Sequence, residues 1–253
     1  MKVQTIDRSD SELRFLVEGI QPSFANELRR IMMGEIPTMA IEWVDFVKND
    51  SALNDEIVAN RLGQVPLKFE KKAYNMMRDC DNCKGKGCSL CQVKLALKKK
   101  GPGMVYSGDL KSKAKDVVPV FDKIPIVELF DNQEVEFEAI AILGFGKEHS
   151  KWQGAVVGYA NQFEAKSKAS EMKLCENHLF HVKDVKGIKV SPSDCVLCKS
   201  INEGNSDFRP VDDSFVFSVE TASGIPVEDI VLDSADILDG KIKEFDKAIK
   251  KLK

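Results

Sequence analysis

The sequence predicts an α+β fold, and three observations carry that prediction. A strand, a helix and a second strand open the chain, period-2 apolar alternation dominates its middle, and one long amphipathic helix closes it. Leu13, Phe15 and Val17 alternate with Arg14, Leu16 and Glu18, which marks the first strand. Pro22-Ser23 then opens a helix, because a first-turn proline gives up an N–H that has no intrahelical partner anyway. Phe24, Leu28, Ile31 and Met32 recur at helical spacing and leave Asn26, Glu27, Arg29 and Arg30 on other faces. Pro37 stops this helix, and residues 41–47 resume extended structure around Trp43. A second helix is expected over 55–62, with Asn54 as its N-cap and Gly63 just past its end.

The middle reads as mostly β. Val93, Leu95 and Leu97 alternate with Lys94 and Lys98, and Val135, Phe137 and Ala139 alternate with Glu134, Glu136 and Glu138. Lysine runs at 98–100 and 111–115 flank the turn Gly101-Pro102-Gly103 and read as a solvated rim. From 166 to 210 aromatics thin out, polar residues dominate and three cysteines appear, so a separate small module is expected there. Phe215, Phe217 and Val219 mark a returning strand. After Gly224-Ile225-Pro226, the last helix carries an apolar stripe of Val227, Ile230, Val231, Leu238, Ile242, Phe245, Ile249 and Leu252. Glu228, Asp229 and Asp233 near its start and Lys247, Lys250, Lys251 and Lys253 near its end suit the helix dipole. That stripe is longer than one small domain needs, so core packing and a subunit interface both stand as readings.

The 253 residues carry 37 basic and 40 acidic side chains, a net charge of −3, and 43% hydrophobic residues. That composition supports a full core in one to three compact units. It argues against a freestanding protein that coats nucleic acid, which needs a strong basic excess. No apolar run approaches the ~18 residues of a membrane-spanning helix. Residues 1–8 contain no apolar stretch, so a secretory signal is not expected. Seven cysteines, an odd number without a signal, read poorly as a disulfide framework and better as metal or cluster ligands in a cytoplasmic protein.

The strongest chemical signal is Cys80-x-x-Cys83-Lys84-Gly85-Lys86-Gly87-Cys88-x-x-Cys91. Each C-x-x-C pair can grip a tetrahedral ion through two thiolates, and four thiolates leave no open position, so a zinc there would be structural. Only four residues separate the pairs, and Gly85 and Gly87 are what would let the backbone turn that tightly. Structural zinc, an iron–sulfur cluster and free thiols are the alternatives. A second set, Cys195-x-x-Cys198 with Cys175 upstream, breaks the ferredoxin run at Ile201 and Asn205. A three-iron cluster on its three cysteines, a Cys₃His zinc site completed by His178 (or His181), and an empty degenerate module all remain open. Catalysis finds little support. His149 and Ser150 are sequence neighbours and not a triad arrangement, Gly144-x-Gly146-Lys147 lacks the spacing of a phosphate loop, and no magnesium carboxylate cluster is visible.

Three motifs resemble the α-like subunit family of archaeal DNA-directed RNA polymerase, relatives of the bacterial α subunit and of the third-largest eukaryotic subunit. They are Phe24-Ala25-Asn26-Glu27-Leu28-Arg29-Arg30-Ile31-Met32-Met33-Gly34-Glu35-Ile36-Pro37, then Asn54-Asp55-Glu56-Ile57-Val58-Ala59-Asn60-Arg61-Leu62-Gly63-Gln64-Val65-Pro66-Leu67, then the loop 144–152. With the terminal helix, the resemblance spans almost the whole chain. It implies a discontinuous α-like dimerisation domain of residues 1–46 and 212–253, an inserted mostly-β domain at 47–165, and a small ferredoxin-like module at 166–211. It implies zinc at Cys80, Cys83, Cys88 and Cys91, and an iron–sulfur cluster at Cys175, Cys195 and Cys198 that the break at Ile201 puts in question. It further implies a non-catalytic assembly platform in a nucleotidyltransferase complex. Such a platform pairs with a smaller α-like subunit L, carries subunits N and P, and nucleates the large catalytic subunits, without sequence-specific nucleic-acid binding of its own. Phe24, Leu28, Arg29, Arg30, Ile31, Met32, Leu238, Ile242, Phe245 and Ile249 are the expected partner-binding residues. A freestanding iron–sulfur or zinc redox protein and a zinc-dependent nucleic-acid binder are the rival readings.

Overall fold

A computed structural model describes residues 1–165, 188–190 and 208–252. By contact the chain divides into Met1–Arg30 with Val157–Glu220, and Ile31–Val156 with Thr221–Lys253.

The first unit is built on a five-stranded sheet in the order β1 (Lys2–Arg8), β2 (Glu12–Glu18), β13 (Phe208–Thr221), β11 (Ala155–Ala165) and β12 (Ile188–Val190). The expected alternation of β2 holds at Leu13, Phe15 and Val17, but Leu16 is buried too, so the strand is covered on both faces. Phe15 and Phe217 are register partners and stack at 5.1 Å, with Tyr159 set edge-on against Phe215 at 5.6 Å. Strand β1 has no counterpart in the sequence reading. All seven of its residues are exposed, and Ile6 is a bulge between Thr5 and Asp7 that breaks the alternation. Backbone pairing with β2 makes it a strand, and no burial pattern announces it.

Helix α1 (Pro22–Gly34) starts where Pro22 predicts and leads into the second unit. There a four-stranded sheet runs β3 (Thr38–Asn49), β10 (Glu134–Gly144), β5 (Gln92–Lys100) and β7 (Lys111–Ser112). Two small ribbons join β4 (Leu67–Lys68) to β8 (Val118–Pro119) and β6 (Gly103–Tyr106) to β9 (Pro125–Leu129). Val93, Leu95 and Leu97 of β5 and Val135, Phe137 and Ala139 of β10 are buried on one face, as their alternation predicts. On the other face the lysines form an ion-pair ladder, Lys98 with Glu136 and Lys94 with Glu138, each at 2.5 Å. Lys98 of the expected rim is therefore exposed and also paired across strands.

Helix α2 (Asp55–Gly63) starts where expected and departs from expectation at its C-terminal end. Asn54 holds the N-cap position without a side-chain capping bond, and Gly63 lies inside the helix, which Gln64 ends. A Cβ on that glycine would stand 3.5 Å from the Ile41 carbonyl oxygen, an ordinary van der Waals contact. Helix α3 (Val227–Lys250) buries Val227, Ile230 and Ser234, and every residue from Ile242 to its end is exposed. No helix among the described residues is long and apolar enough to cross a membrane.

Candidate metal centre

The 3₁₀ turn Met77–Asp79 delivers Cys80, and β5 begins one residue after Cys91. Between them the chain folds into two knuckles. The Cys80 carbonyl accepts from the Lys84 N–H at 2.8 Å, and the Cys88 carbonyl accepts from the N–H groups of Cys91 and Gln92 at 3.0 and 2.9 Å. Gly85 and Gly87 take positive φ of 82° and 91°, as the tight spacing predicts, and Lys84 joins them at 49°. Any residue other than glycine at 87 would also drive its Cβ into the Gln92 side chain.

This folding brings all four cysteines together, with every Sγ within 4.8 Å of the others. Cys80 and Cys88 stand 3.7 Å apart, Cys83 and Cys91 3.6 Å, and Cys88 and Cys91 3.8 Å. Bonds of about 2.3 Å to one tetrahedral ion place its sulfur ligands about 3.8 Å apart, so the donor set fits a single metal ion. A polynuclear cluster encloses several irons and sulfides within its thiolates and needs them wider apart. A four-thiolate shell is closed, so an ion there would organise the loop and not bind substrate.

Cys80 and Cys91 are buried, and Cys83 and Cys88 are half-buried. The Asn82 amide, 3.3 Å from the Cys88 sulfur, and the Leu90 backbone N–H lower the Cys88 thiol to about 6. Burial pushes the Cys91 thiol up to about 12. Sequence reasoning misses Asn82, whose only signal is an amide between two cysteines. Cys175, Cys195, Cys198, His178 and His181 lie outside the described residues.

The expected partner-binding residues separate into three groups. Leu28, Ile31 and Met32 are buried within the chain, Phe24, Arg29 and Leu238 are half-buried, and Arg30, Ile242, Phe245 and Ile249 are exposed. The loop 144–152 is a packing device. The Trp152 ring lies where a Cβ on Gly144 would stand, the Met33 carbonyl where one on Gly146 would. His149 caps the 3₁₀ turn Ser150–Trp152 through an N–H···Nδ1 bond of 3.1 Å from Lys151.

Residues 44–157 match the RNA polymerase Rpb3/RpoA insert domain. The chain is 35% identical to the DNA-directed RNA polymerase subunit Rpo3 of Methanosarcina acetivorans, with 97% of each chain aligned. It is 36% identical to that of Methanothermobacter thermautotrophicus, over 96% of this chain and 97% of the relative. It is 36% identical to that of Pyrococcus furiosus, over 100% of this chain and 98% of the relative. The chain belongs to the Rpo3 family. Its relatives are subunits of DNA-directed RNA polymerase, a nucleotidyltransferase complex, and the resemblance drawn from the three motifs leads to the same enzyme. In this Rpo3 chain the four-cysteine centre falls inside the stretch matched to the insert domain.

Proposed function

We propose that the chain is the non-catalytic assembly platform of a cytoplasmic archaeal RNA polymerase. It pairs with a smaller α-like subunit (L), takes up subunits N and P, and nucleates the large catalytic subunits. Residues 1–46 and 212–253 form its dimerisation domain, 47–165 its inserted domain, and 166–211 a ferredoxin-like module. Zinc occupies the site of Cys80, Cys83, Cys88 and Cys91, and direct sequence-specific binding to nucleic acid is not part of its role.

The observation that carries the pairing is the uncovered end of α3. Ile242, Phe245 and Ile249 recur at helical spacing and are 59%, 67% and 42% exposed. Three large apolar side chains in a row on one helix face are costly to leave in water and suit a partner helix. Arg30 is exposed on α1, and Phe24 there is half-buried. Coexpression with the smaller α-like subunit should yield a one-to-one complex, and Phe245→Asp with Ile249→Asp should abolish it, because burying unpaired charge costs several kcal/mol. A monodisperse, stable monomer at micromolar concentration that ignores the α-like subunit would overturn this reading. Electron transfer by the isolated chain would favour the freestanding redox protein instead.

A further inference from the structure

The segment just before the cysteines is tied to α3 and to the loop 144–152 by long side chains. Lys71, in the 3₁₀ turn Lys71–Ala73, reaches Asp233 at 2.5 Å and Asp229 at 3.5 Å, both in the opening turns of α3. Arg78, two residues before Cys80, pairs with Glu148 at 3.1 Å and stands over the Phe145 ring, 5.2 Å from its centre. A backbone bond of 2.8 Å from the Asn75 N–H to the Leu90 carbonyl clamps the same segment to the far end of the cysteine loop. Phe145 and Glu148 flank a loop that leans on the end of α1, where the Lys147 N–H donates to the Gly34 carbonyl at 3.0 Å. The next residue, Glu35, holds Lys241 of α3 at 2.8 Å. Two routes from the cysteine loop thus end on α3, one at its start and one at its middle.

We propose that closing the four-cysteine loop around a metal ion sets the position of α3, acting through Lys71 and Arg78. The inference rests on the metal reading given above and goes beyond it by assigning the site a distant effect. Its physical basis is preorganisation. The ion pairs are partly exposed and each is weak alone, so they hold only if the backbone carrying them is already ordered. Four bonds to one ion fix Cys80 and Cys91, and with them Leu90, Asn75 and Arg78. An open loop leaves residues 71–78 to be ordered at the expense of the same weak pairs. The stretch of α3 steadied in this way leads directly to Ile242, Phe245 and Ile249, so the metal governs how well the docking face is presented.

The test is hydrogen–deuterium exchange on the full-length chain, with metal content measured by mass spectrometry on the same sample. Removing the metal with a chelator should speed exchange over residues 227–241 by about tenfold. The double variant Lys71→Met, Arg78→Met leaves the cysteines untouched, so it should keep its metal, exchange at the faster rate, and no longer respond to chelator. One metal per chain with exchange over 227–241 unmoved by its removal overturns this inference and leaves the metal site standing. A variant that responds to chelator as the wild type does overturns the assigned route. A chain that takes up no metal even when zinc is supplied overturns the metal reading, and this inference with it.

Discussion

Single residues around the cysteine loop set its chemistry. Cys83 would supply one of four thiolates to an ion in a shell with no spare ligand, and serine, whose hydroxyl does not ionise near neutral pH, could not replace it. Cys83→Ser should therefore lose its metal, measured by mass spectrometry of the native protein, while the ladder of β5 and β10 stays folded. Retention of a full equivalent would mean that Cys83 is not a ligand. Tyr74 carries a separate prediction about pH. Burial, and then its 2.9 Å bond to the Asp116 carboxylate, raise its phenol from 10.0 to about 12. A proton held more tightly in the fold than in the unfolded chain contributes stability that is complete below about pH 10 and is lost as pH rises towards 12. Tyr74→Phe removes that titration, so its urea midpoint should fall less than the wild type's between about pH 9 and 11. Parallel curves for the two proteins would show that Tyr74 ionises freely in the fold.

Elements differ in how far the sequence foretells them, and burial explains the difference. Strands β5 and β10 are legible because one face of each packs against a core, and β2 and β13 because their alternating Leu13, Phe15, Val17, Phe215, Phe217 and Val219 are all buried. Strand β1 is illegible because all seven of its residues are exposed. Periodicity locates the apolar face of α1 but not its cover: Leu28, Ile31 and Met32 pack within the chain, whereas the same kind of stripe on α3 ends in the open. Among the site residues, the cysteines declare themselves by spacing. Arg78 with Glu148 does not, because a pair 70 positions apart leaves no local pattern. The loop 144–152 stands out by resemblance, and its physical reason is visible in its glycines. Gly146 sits against the Met33 carbonyl at the end of α1, where backbone cannot move aside cheaply. Gly146→Ala should cost about 1–3 kcal/mol through overpacking. Lys98→Ala, which removes an exposed pair with Glu136, should cost less than about 1 kcal/mol. Denaturant melts of the two variants check the order, and a harmless Gly146→Ala would mean that the contact between α1 and the loop is loose.

At the scale of the whole molecule, the chain leaves one strand at Ala165 and re-enters another at Phe208. Those strands, β11 and β13, are neighbours in the five-stranded sheet, and the Asn161 amide donates to the Val211 carbonyl at 3.2 Å. With residue 161 beside 211, the ends at 165 and 208 are close, so a short linker can join them. The described residues between them contribute only β12, three residues at the sheet's edge paired with β11. Losing an edge strand exposes backbone that water can satisfy, whereas losing a central one would split the sheet. We therefore expect that replacing residues 168–207 with a glycine–serine linker leaves the stacked pair of Phe15 and Phe217 intact, along with pairing to the smaller α-like subunit. Later steps of polymerase assembly should suffer if the segment carries the assembly role proposed for it. Pull-down with the α-like subunit and the yield of reconstituted polymerase separate the two effects. A variant that no longer pairs would place the segment inside the dimerisation core. One that pairs and also builds polymerase at full yield would leave the segment without an assembly role.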